Sequence, residues 1–576
     1  MLTKSTAFNP DCKNIRELVY SAARLYPERP AFKVKDKGEI KTVTFTQVIE
    51  NTEALGTELL AQGYTDCAMG IIGDNSYPWY QCHLAIVCGG NISVPFDKGF
   101  TAEELESAII RSRIRVLFYG HKSEALVEEV KARGNINVER FVRITGDDNG
   151  FDELIAAGKE RIAAGSQLHE EYKNTVIDEH KLAVLLFTSG TTSNSKAVML
   201  SQFNIASNTI DMYQYEAFSY EDVNMAFLPC HHSFGLGAVT VFFGIGACSV
   251  FCDGLKYISK NLQEYGVTVF VGVPLLVENM YSKIMKEVEK KGMSKKVAFG
   301  RKLTRGLRKV GIDVRRKVFK EILDQLGGKL RLIICGAAAL KPEACQGMND
   351  FGILTVQGYG LTETSPVLTA ESVFNMRAGS VGKPMPRVQI KLDNVNEEGV
   401  GELLVKGPNV MLGYLDQPEA TAEVLEADGW LHTGDLAEID KDGYVWIRGR
   451  SKSVIVMKNG KNIFPEEIET LVGGLPYVDN NMVFARDDKH NELVLWLKII
   501  YNKDYLAQEN LTMDQFAEVV KKDLAAINAT MPAYKNVNHF ILDDQPMIMT
   551  TTQKVKRNPE TKKINENRAT ELWYTV

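Results

Sequence analysis

Apolar runs of strand length alternate with helical patterns through most of this chain, and that alternation limits its fold more than any other feature. Apolar or mixed runs at 68–72, 92–95 and 115–119 are separated by helical spacing at 77–87 and 102–111. A second round begins at Leu182 and includes 224–228, 247–252, 267–271, 330–335 and 353–359. Strand alternating with helix predicts an α/β fold with mainly parallel sheet and helices on both faces. Ahead of the first round, Ile15, Leu18, Val19 and Ala22 have helical spacing over 14–26, and Pro27 and Pro30 stop it. Strand-like pieces at 31–34 and 41–45 and a helix over 46–62 follow. From Gly401 the texture changes to short strands and turns at 402–406 and 444–448, then a polar connector at 449–453. The remainder, about 124 residues with an α+β pattern, is long enough for a small separate domain.

At 576 residues the chain exceeds what one hydrophobic core usually serves, so two or more domains are expected. A net charge of −6 argues against a general nucleic-acid binder. Nine cysteines, an odd number without a CxxC pair and mostly among apolar neighbours, suit free thiols in a reducing cytosol. The first 12 residues are too polar for a signal peptide. The most apolar long stretch, 236–252, is interrupted by Gly237, Gly244 and Gly246, and reads as a buried helix followed by a strand.

The most suggestive loop lies after the apolar run 182–187. Thr188, Ser189, Gly190, Thr191, Thr192, Ser193, Asn194 and Ser195 are small, and all but the glycine offer a side-chain hydroxyl or amide; Lys196 follows. Successive backbone N–H groups and hydroxyls in such a loop can surround phosphate oxygens, and a lysine adds a mobile positive charge. The plain alternative is a polar turn between two strands. A Walker loop does not fit, because Ser195 and Ala197 stand where it needs Gly and Ser or Thr. A second unusual segment spans 283–320, where 15 Lys or Arg face Glu287, Glu289 and Asp313, a local balance of +12. Interleaved Val297, Phe299, Leu303, Leu307, Val310, Val314 and Val318 suggest helices with one apolar face. Such a patch suits an anionic membrane surface or substrate phosphates, and equally an ordinary solvated helix face.

Five further stretches stand at strand ends or in turns. They are Phe227 to Gly235 with the pair His231 and His232, Cys335 to Leu340, Gln357 to Thr364, Gly429 to Asp435, and the surroundings of Lys554. Adjacent histidines lack metal-ligand spacing, Gly358, Tyr359 and Gly360 make a common turn, and Glu363 alone is a carboxylate that a helix start favours. Their order and strand-end placement raise their significance, since ligands of open parallel sheets bind at the carboxyl ends of strands.

In that order the motifs resemble the adenylate-forming superfamily of acyl-CoA synthetases, peptide-synthetase adenylation domains and luciferases. The resemblance covers most of the chain and implies an N-terminal domain, 1–450, of stacked, mostly parallel sheets with a small β-rich subdomain. It implies a small mobile α+β domain over 451–576, with a hinge at Lys452. Thr188, Ser189, Gly190, Thr191, Thr192 and Lys196 resemble the loop over the β- and γ-phosphates of ATP. His232 resembles the histidine near the α-phosphate and acyl pocket. Gly336, Ala337, Ala338, Gln357, Gly358 and Tyr359 would hold adenine, Thr362 the α-phosphate, Glu363 a Mg²⁺ ion, and Asp435 and Arg450 the ribose hydroxyls. Thr188, His232, Glu363 and Lys554 would serve catalysis. The chain departs from the family at Ser193, Ser195 and Ala197, where Gly, Pro and Gly are usual, which implies a stiffer loop. Lys554 follows Gln553 rather than Gly, similar to long-chain fatty acyl-CoA synthetases.

A fatty carboxylate is ionised at neutral pH and needs no general base, so its activation rests on positioning and on cations that spread developing charge. Amino-acid-activating relatives usually place Asp where this chain has Gly235. With Phe234 and Gly272 the neighbourhood is small and apolar, as an open acyl tunnel requires, although such glycines also serve close helix–sheet packing. The resemblance implies a medium- or long-chain fatty acid, ATP, Mg²⁺ and coenzyme A as reactants, with a carrier-protein phosphopantetheine as the alternative acceptor. A nonenzymatic nucleotide-binding scaffold is the reading of another class, and the intact Glu363, Asp435, Arg450 and Lys554 count against it.

Overall fold

A computed structural model of the chain describes residues 8–36, 38–147, 149–188, 195–457, 461–487, 493–549, 555–567 and 572–576. The first helix, Ile15–Leu25, starts where the Asn14 side chain accepts from the Glu17 backbone N–H, and buries Ile15, Leu18, Val19 and Ala22. Capping boxes start the helices Phe45–Ala61 at Thr44 and Ala102–Ser112 at Thr101, both beside strands read from the sequence. The stretch read as a buried helix then a strand is the helix Ser233–Gly244 followed by the strand Cys248–Phe251.

The chain forms two compact units, Met1–Ile390 with Val405–Leu431, and Lys391–Leu404 with His432–Val576. This division does not coincide with a boundary at residue 450, because the strand Val445–Arg450 packs on the helix Pro465–Val472 of the second unit.

Two sheets build the first unit. The larger has nine strands in the order 383–384, 367–370, 354–360, 332–335, 269–272, 223–226, 248–251, 30–36, 39–44. Its six consecutive strands from 354–360 to 30–36 are parallel, and the antiparallel pieces lie at its edges. The other has seven strands in the order 413–414, 197–201, 182–187, 92–96, 68–72, 116–119, 140–143. Its five strands from 182–187 to 140–143 are parallel. The central strands are apolar along their length, as burial on both faces requires: all five residues of Ala68–Ile72 are buried. Fully buried Phe270, Val277, Ile333, Met348 and Phe351 anchor the core beside the larger sheet.

The second unit holds most of a four-stranded sheet in the order 389–393, 401–406, 431–439, 445–450, whose first three strands the unit boundary crosses. A separate sheet of 478–487, 493–501, 537–543 and 573–575 carries the helices Pro465–Val472, Met513–Asn528 and Arg557–Glu566. The expected α+β texture after residue 451 is present. All nine cysteines are free, and all but Cys252 are buried. Among the described residues no helix is long and apolar enough to cross a membrane.

Candidate functional site

Four neighbouring parallel strands of the first unit, 223–226, 269–272, 332–335 and 354–360, carry three of the motifs and Gly272 to one edge of their sheet. The register sets Gly272 opposite Cys335 and Cys335 opposite Gln357, so the segments that follow leave at the same level. Just past these ends lie His231 and His232 and Gly336 to Ala338, while Gly358 and Tyr359 fall in the last residues of their strand, at the carboxyl ends where open parallel sheets bind ligands. Ala337 has φ 74°, in the left-handed region that costs a non-glycine residue about 1–3 kcal/mol and that concentrates at functional sites. Ala337 and Ala338 are exposed, whereas buried Gln357 accepts from the Leu340 backbone N–H at 3.0 Å and so ties this turn to the next strand.

Gly336 and Gly235 have side-chain positions occupied by neighbours. A β-carbon on Gly336 would come within 3.0 Å of the Phe234 ring, which joins the turn at Gly336 to Ala338 to the helix Ser233–Gly244. A β-carbon on Gly235 would lie 2.1 Å from the Pro229 carbonyl oxygen. The glycine there serves a close approach between helix and preceding loop, the packing role left open beside the tunnel role. Gly272, whose β-carbon would meet the Phe270 ring, is buried at the end of its strand.

The histidine loop is gripped from the second sheet. Asn75, just past the strand Ala68–Ile72, donates to the Leu228 carbonyl at 2.7 Å and accepts from the Cys230 N–H at 2.8 Å. Asp97, just past the strand Ile92–Phe96, brings Oδ1 to 3.2 Å from Nε2 of buried His231 without forming a hydrogen bond to it. The rings of His231 and His232 lie 4.4 Å apart, and one donor atom from each histidine and from Asp97 fall within 4.8 Å of one another. His232 is half-buried and heads the helix Ser233–Gly244.

The hydroxylated loop joins two antiparallel strands, Leu182–Phe187 and Ala197–Ser201. Its base is closed by Thr188, whose N–H donates to the Lys196 carbonyl at 2.9 Å and whose Oγ1 accepts from the Lys196 N–H at 3.2 Å. Ala197 belongs to the strand, fully buried opposite Phe187, so it stiffens the loop no further than a strand end does. Ser189, Gly190, Thr191, Thr192 and Ser193 lie outside the described residues. Arg111 donates through Nη1 to the carbonyl and hydroxyl of Ser195 at 2.9 and 3.2 Å.

Glu363 sits in the 3-10 turn Thr362–Thr364, and that turn is clasped by the segment after residue 407. Met411 N–H donates to the Glu363 carbonyl at 2.8 Å, and Asn409 Nδ2 to the Thr364 carbonyl at 2.8 Å. The same segment continues into the strand Gly413–Tyr414, which pairs with Val198 and Met199 beyond the hydroxylated loop. Buried Tyr414 then joins the two motifs: its hydroxyl donates to Glu363 Oε1 at 2.9 Å, and the Lys196 ammonium stands 4.2 Å from its ring centre. Burial, reinforced by the Glu363 carboxylate, pushes the phenol well above its ordinary range, so it remains a donor. A carboxylate with one oxygen fixed by a neutral hydroxyl and partly open to solvent fits Mg²⁺, which takes one or two carboxylates and completes its shell with water and substrate phosphates.

Beneath the turn, the Gln357 N–H donates to Glu371 Oε2 at 3.0 Å and the Arg377 N–H to Glu371 Oε1 at 2.7 Å. Burial pushes this carboxyl up to about 7 against those two backbone donors.

In the second unit the ladder sets Asp435 opposite Arg450, and Arg450 Nε meets buried Asp435 Oδ1 at 2.8 Å. Lys452 is exposed in the 3-10 turn Ser451–Ser453, and Lys554 lies outside the described residues. Tyr414 thus joins Lys196, to which Thr188 is hydrogen-bonded, with Glu363 in the turn that holds Thr362, while His232, Phe234, Gly235, Gly272 and Gly336 lie separately at the strand ends. Tyr414, Arg111, Asn75, Asp97 and Glu371 escaped sequence reasoning. Asp97 and Glu371 left a signal, as acidic residues directly after the strands Ile92–Phe96 and Val367–Ala370, and Asn75 a weaker one in the polar turn after Ala68–Ile72.

Residues 19–415 match the family model described as AMP-binding enzyme, and residues 452–571 that of the AMP-binding enzyme C-terminal domain. Long-chain-fatty-acid–CoA ligase 5 of Rattus norvegicus is 30% identical over 463 residues, 75% of this chain and 67% of that protein. Long chain acyl-CoA synthetase 4 of Arabidopsis thaliana is 28% identical over 80% of this chain and 74% of its own. Among solved structures, the anthranilate CoA ligase AuaEII in complex with anthranoyl-AMP superposes with TM-score 0.77 and 19% identity, covering 98% of both chains. ATP-bound MatB from Rhodopseudomonas palustris does so with TM-score 0.72 and 22% identity over 96% of this chain and 99% of that one.

Proposed function

The chain belongs to the AMP-binding enzyme family, and we propose that it is a ligase joining a medium- or long-chain fatty acid to coenzyme A at the expense of ATP. The observation that carries this reading is Tyr414, which holds a cation, Lys196, over its ring and a carboxylate, Glu363, on its hydroxyl.

In the first step a carboxylate oxygen of the acid attacks the α-phosphorus of ATP, and the bond to pyrophosphate breaks. The nucleophile carries its charge already, so the protein has repulsion to overcome and a leaving group to stabilise. Lys196 and the loop from Thr188 to Thr192 would take the β- and γ-phosphates, and Thr362 the α-phosphate. Glu363 would hold Mg²⁺, which when bound neutralises phosphate charge. Gly336 to Ala338 and Gln357 to Tyr359 would flank adenine, Asp435 and Arg450 the ribose, and His232, Phe234, Gly235 and Gly272 the acyl end. In the second step the thiolate attacks the acyl carbonyl and AMP departs. That step needs an open path to the carbonyl and no cation on pyrophosphate, so Lys554 would act only in the first, and rotation about Lys452 would alternate the two. A cytoplasmic site of action, with peripheral membrane contact through 283–320, belongs to the same proposal.

The test is a profile of pyrophosphate release against acid chain length, followed by thioester yield with free coenzyme A and with holo acyl carrier protein. Release that rises for medium and long chains, with thioester on coenzyme A, is expected. A maximum at two to four carbons would remove the fatty-acid assignment, and thioester formed only on the carrier would replace coenzyme A by the carrier.

A further inference from the structure

The helix Ser294–Lys309 carries two apolar stripes, and the fold uses one of them. Val297, Gly300 and Thr304 are buried, and the helix is clamped from the same side by the fully buried carboxylate of Asp350, which takes Arg301 at 2.8 Å and Arg305 at 2.5 Å. Burial opposes ionisation of Asp350, but the hydrogen bonds from Arg305 and Arg301 outweigh it and hold the carboxyl below its ordinary range. At 100° per residue, Phe299, Leu303 and Val310 fall within about 40° of one another, roughly 110° round the axis from the buried stripe. Phe299 is 68% exposed and Val310 71%, with Leu303 also exposed. Ile312 and Val318, just beyond the helix, add two more exposed apolar side chains.

Lysines line this outer stripe. Lys295, Lys302 and Lys309 recur every seventh residue along one side and Lys296 stands on the other, all exposed. None of the four meets a carboxylate among the described residues, unlike Arg301, Arg305, Arg315 and Lys320 nearby. A solvated helix face would show the lysines without the phenylalanine and valine between them. A protein-contact patch would bury apolar side chains against a core depleted of lysine. Apolar side chains flanked by unpaired lysines on a rigidly held helix are what an anionic bilayer surface accepts, apolar groups entering the headgroup boundary and ammoniums meeting phosphate and carboxylate.

We propose that the Phe299–Leu303–Val310 face docks this protein onto an anionic lipid bilayer, lying flat along the surface. The inference deepens the membrane element of the proposed function and rests on it for its purpose, since a long-chain acid partitions into lipid; the binding itself needs no catalysis.

The experiment is co-flotation of the full chain, without substrates, with vesicles of phosphatidylcholine alone or containing phosphatidylserine. Binding to the mixed vesicles, absent on phosphatidylcholine alone and weakened as salt shortens the Debye length, is expected. Two variants are compared, Phe299→Ser/Leu303→Ser and Lys295→Gln/Lys302→Gln/Lys309→Gln, each expected to lower partitioning about tenfold or more. The proposal is overturned if the wild-type chain does not float with the anionic vesicles, or if it floats equally with neutral ones. Retained binding in the apolar variant also overturns it, leaving a polyanion site. ATP–pyrophosphate exchange with a soluble acid is read on the same samples. Loss of exchange in every protein with flotation intact contradicts the proposed ligase and spares the docking surface.

Discussion

Replacing Tyr414 by Phe removes one hydroxyl and leaves the ring, and so isolates the bond to Glu363 from the contact with Lys196. The bond is 2.9 Å long and ends on a carboxylate. Hydrogen bonds to charged groups contribute about 1.5–3 kcal/mol, and Glu363 is open enough to water that about 1–2 kcal/mol is the better expectation. That range corresponds to roughly 5- to 30-fold. Tyr414→Leu also removes the ring 4.2 Å from the Lys196 ammonium, worth about 0.5–1 kcal/mol more at a partly exposed site. ATP–pyrophosphate exchange at saturating fatty acid, measured across ATP and Mg²⁺ concentrations, should show the Phe variant weakened chiefly at low metal and nucleotide. The Leu variant should be a further two- to fivefold worse. The phenol stays protonated far above neutrality, so the defect should not vary between pH 6 and 9. Exchange by Tyr414→Phe within twofold of wild type at subsaturating MgATP would refute the idea that this tyrosine positions the carboxylate.

Three further outcomes are expected. Glu371 keeps its proton to about pH 7 when folded against 4.5 for an ordinary glutamate, so its contribution is fully present below pH 4.5 and is lost as pH rises through 7. Urea unfolding should lose up to about 3 kcal/mol across that window, and the slope should flatten in Glu371→Gln; an unchanged slope contradicts the assignment. Gly235→Asp should lower the melting temperature without conferring amino-acid activation, since even a β-carbon would meet the Pro229 carbonyl at 2.1 Å; a stable variant that exchanges with an amino acid would show the glycine to be a specificity position. Lys554→Ala should abolish adenylate formation yet spare thioester formation from preformed acyl-adenylate, and equal loss of both half-reactions would refute the division between them.

The site strands were legible because each is short, apolar and bounded by glycine or polar residues: the strand Ala68–Ile72 falls where the pattern put it, and Leu354–Gly360 nearly so. Motifs that end a strand were equally legible, since neighbouring parallel strands must deliver their ends together. Tyr414 was not, because it reaches Glu363 from 51 residues away through a two-residue strand, too short to leave a pattern. Arg111 sits on a helix 84 residues before the serine it holds and reads there as an ordinary surface arginine. Gly235 was read for what its missing side chain opens, whereas its neighbours Leu228 and Pro229 close that space with backbone, which no local pattern reveals. The basic segment was legible as charge, but only the helix geometry separates the stripe that Asp350 holds inward from the stripe carrying Phe299 and Val310.

Fatty-acid-dependent ATP–pyrophosphate exchange in the absence of any thiol tests the central claim most directly, because it reports adenylate formation alone. Exchange that requires a medium- or long-chain acid and Mg²⁺ and falls sharply in Glu363→Ala is the predicted result. Nucleotide binding without exchange for any acid across the chain-length series would contradict the account.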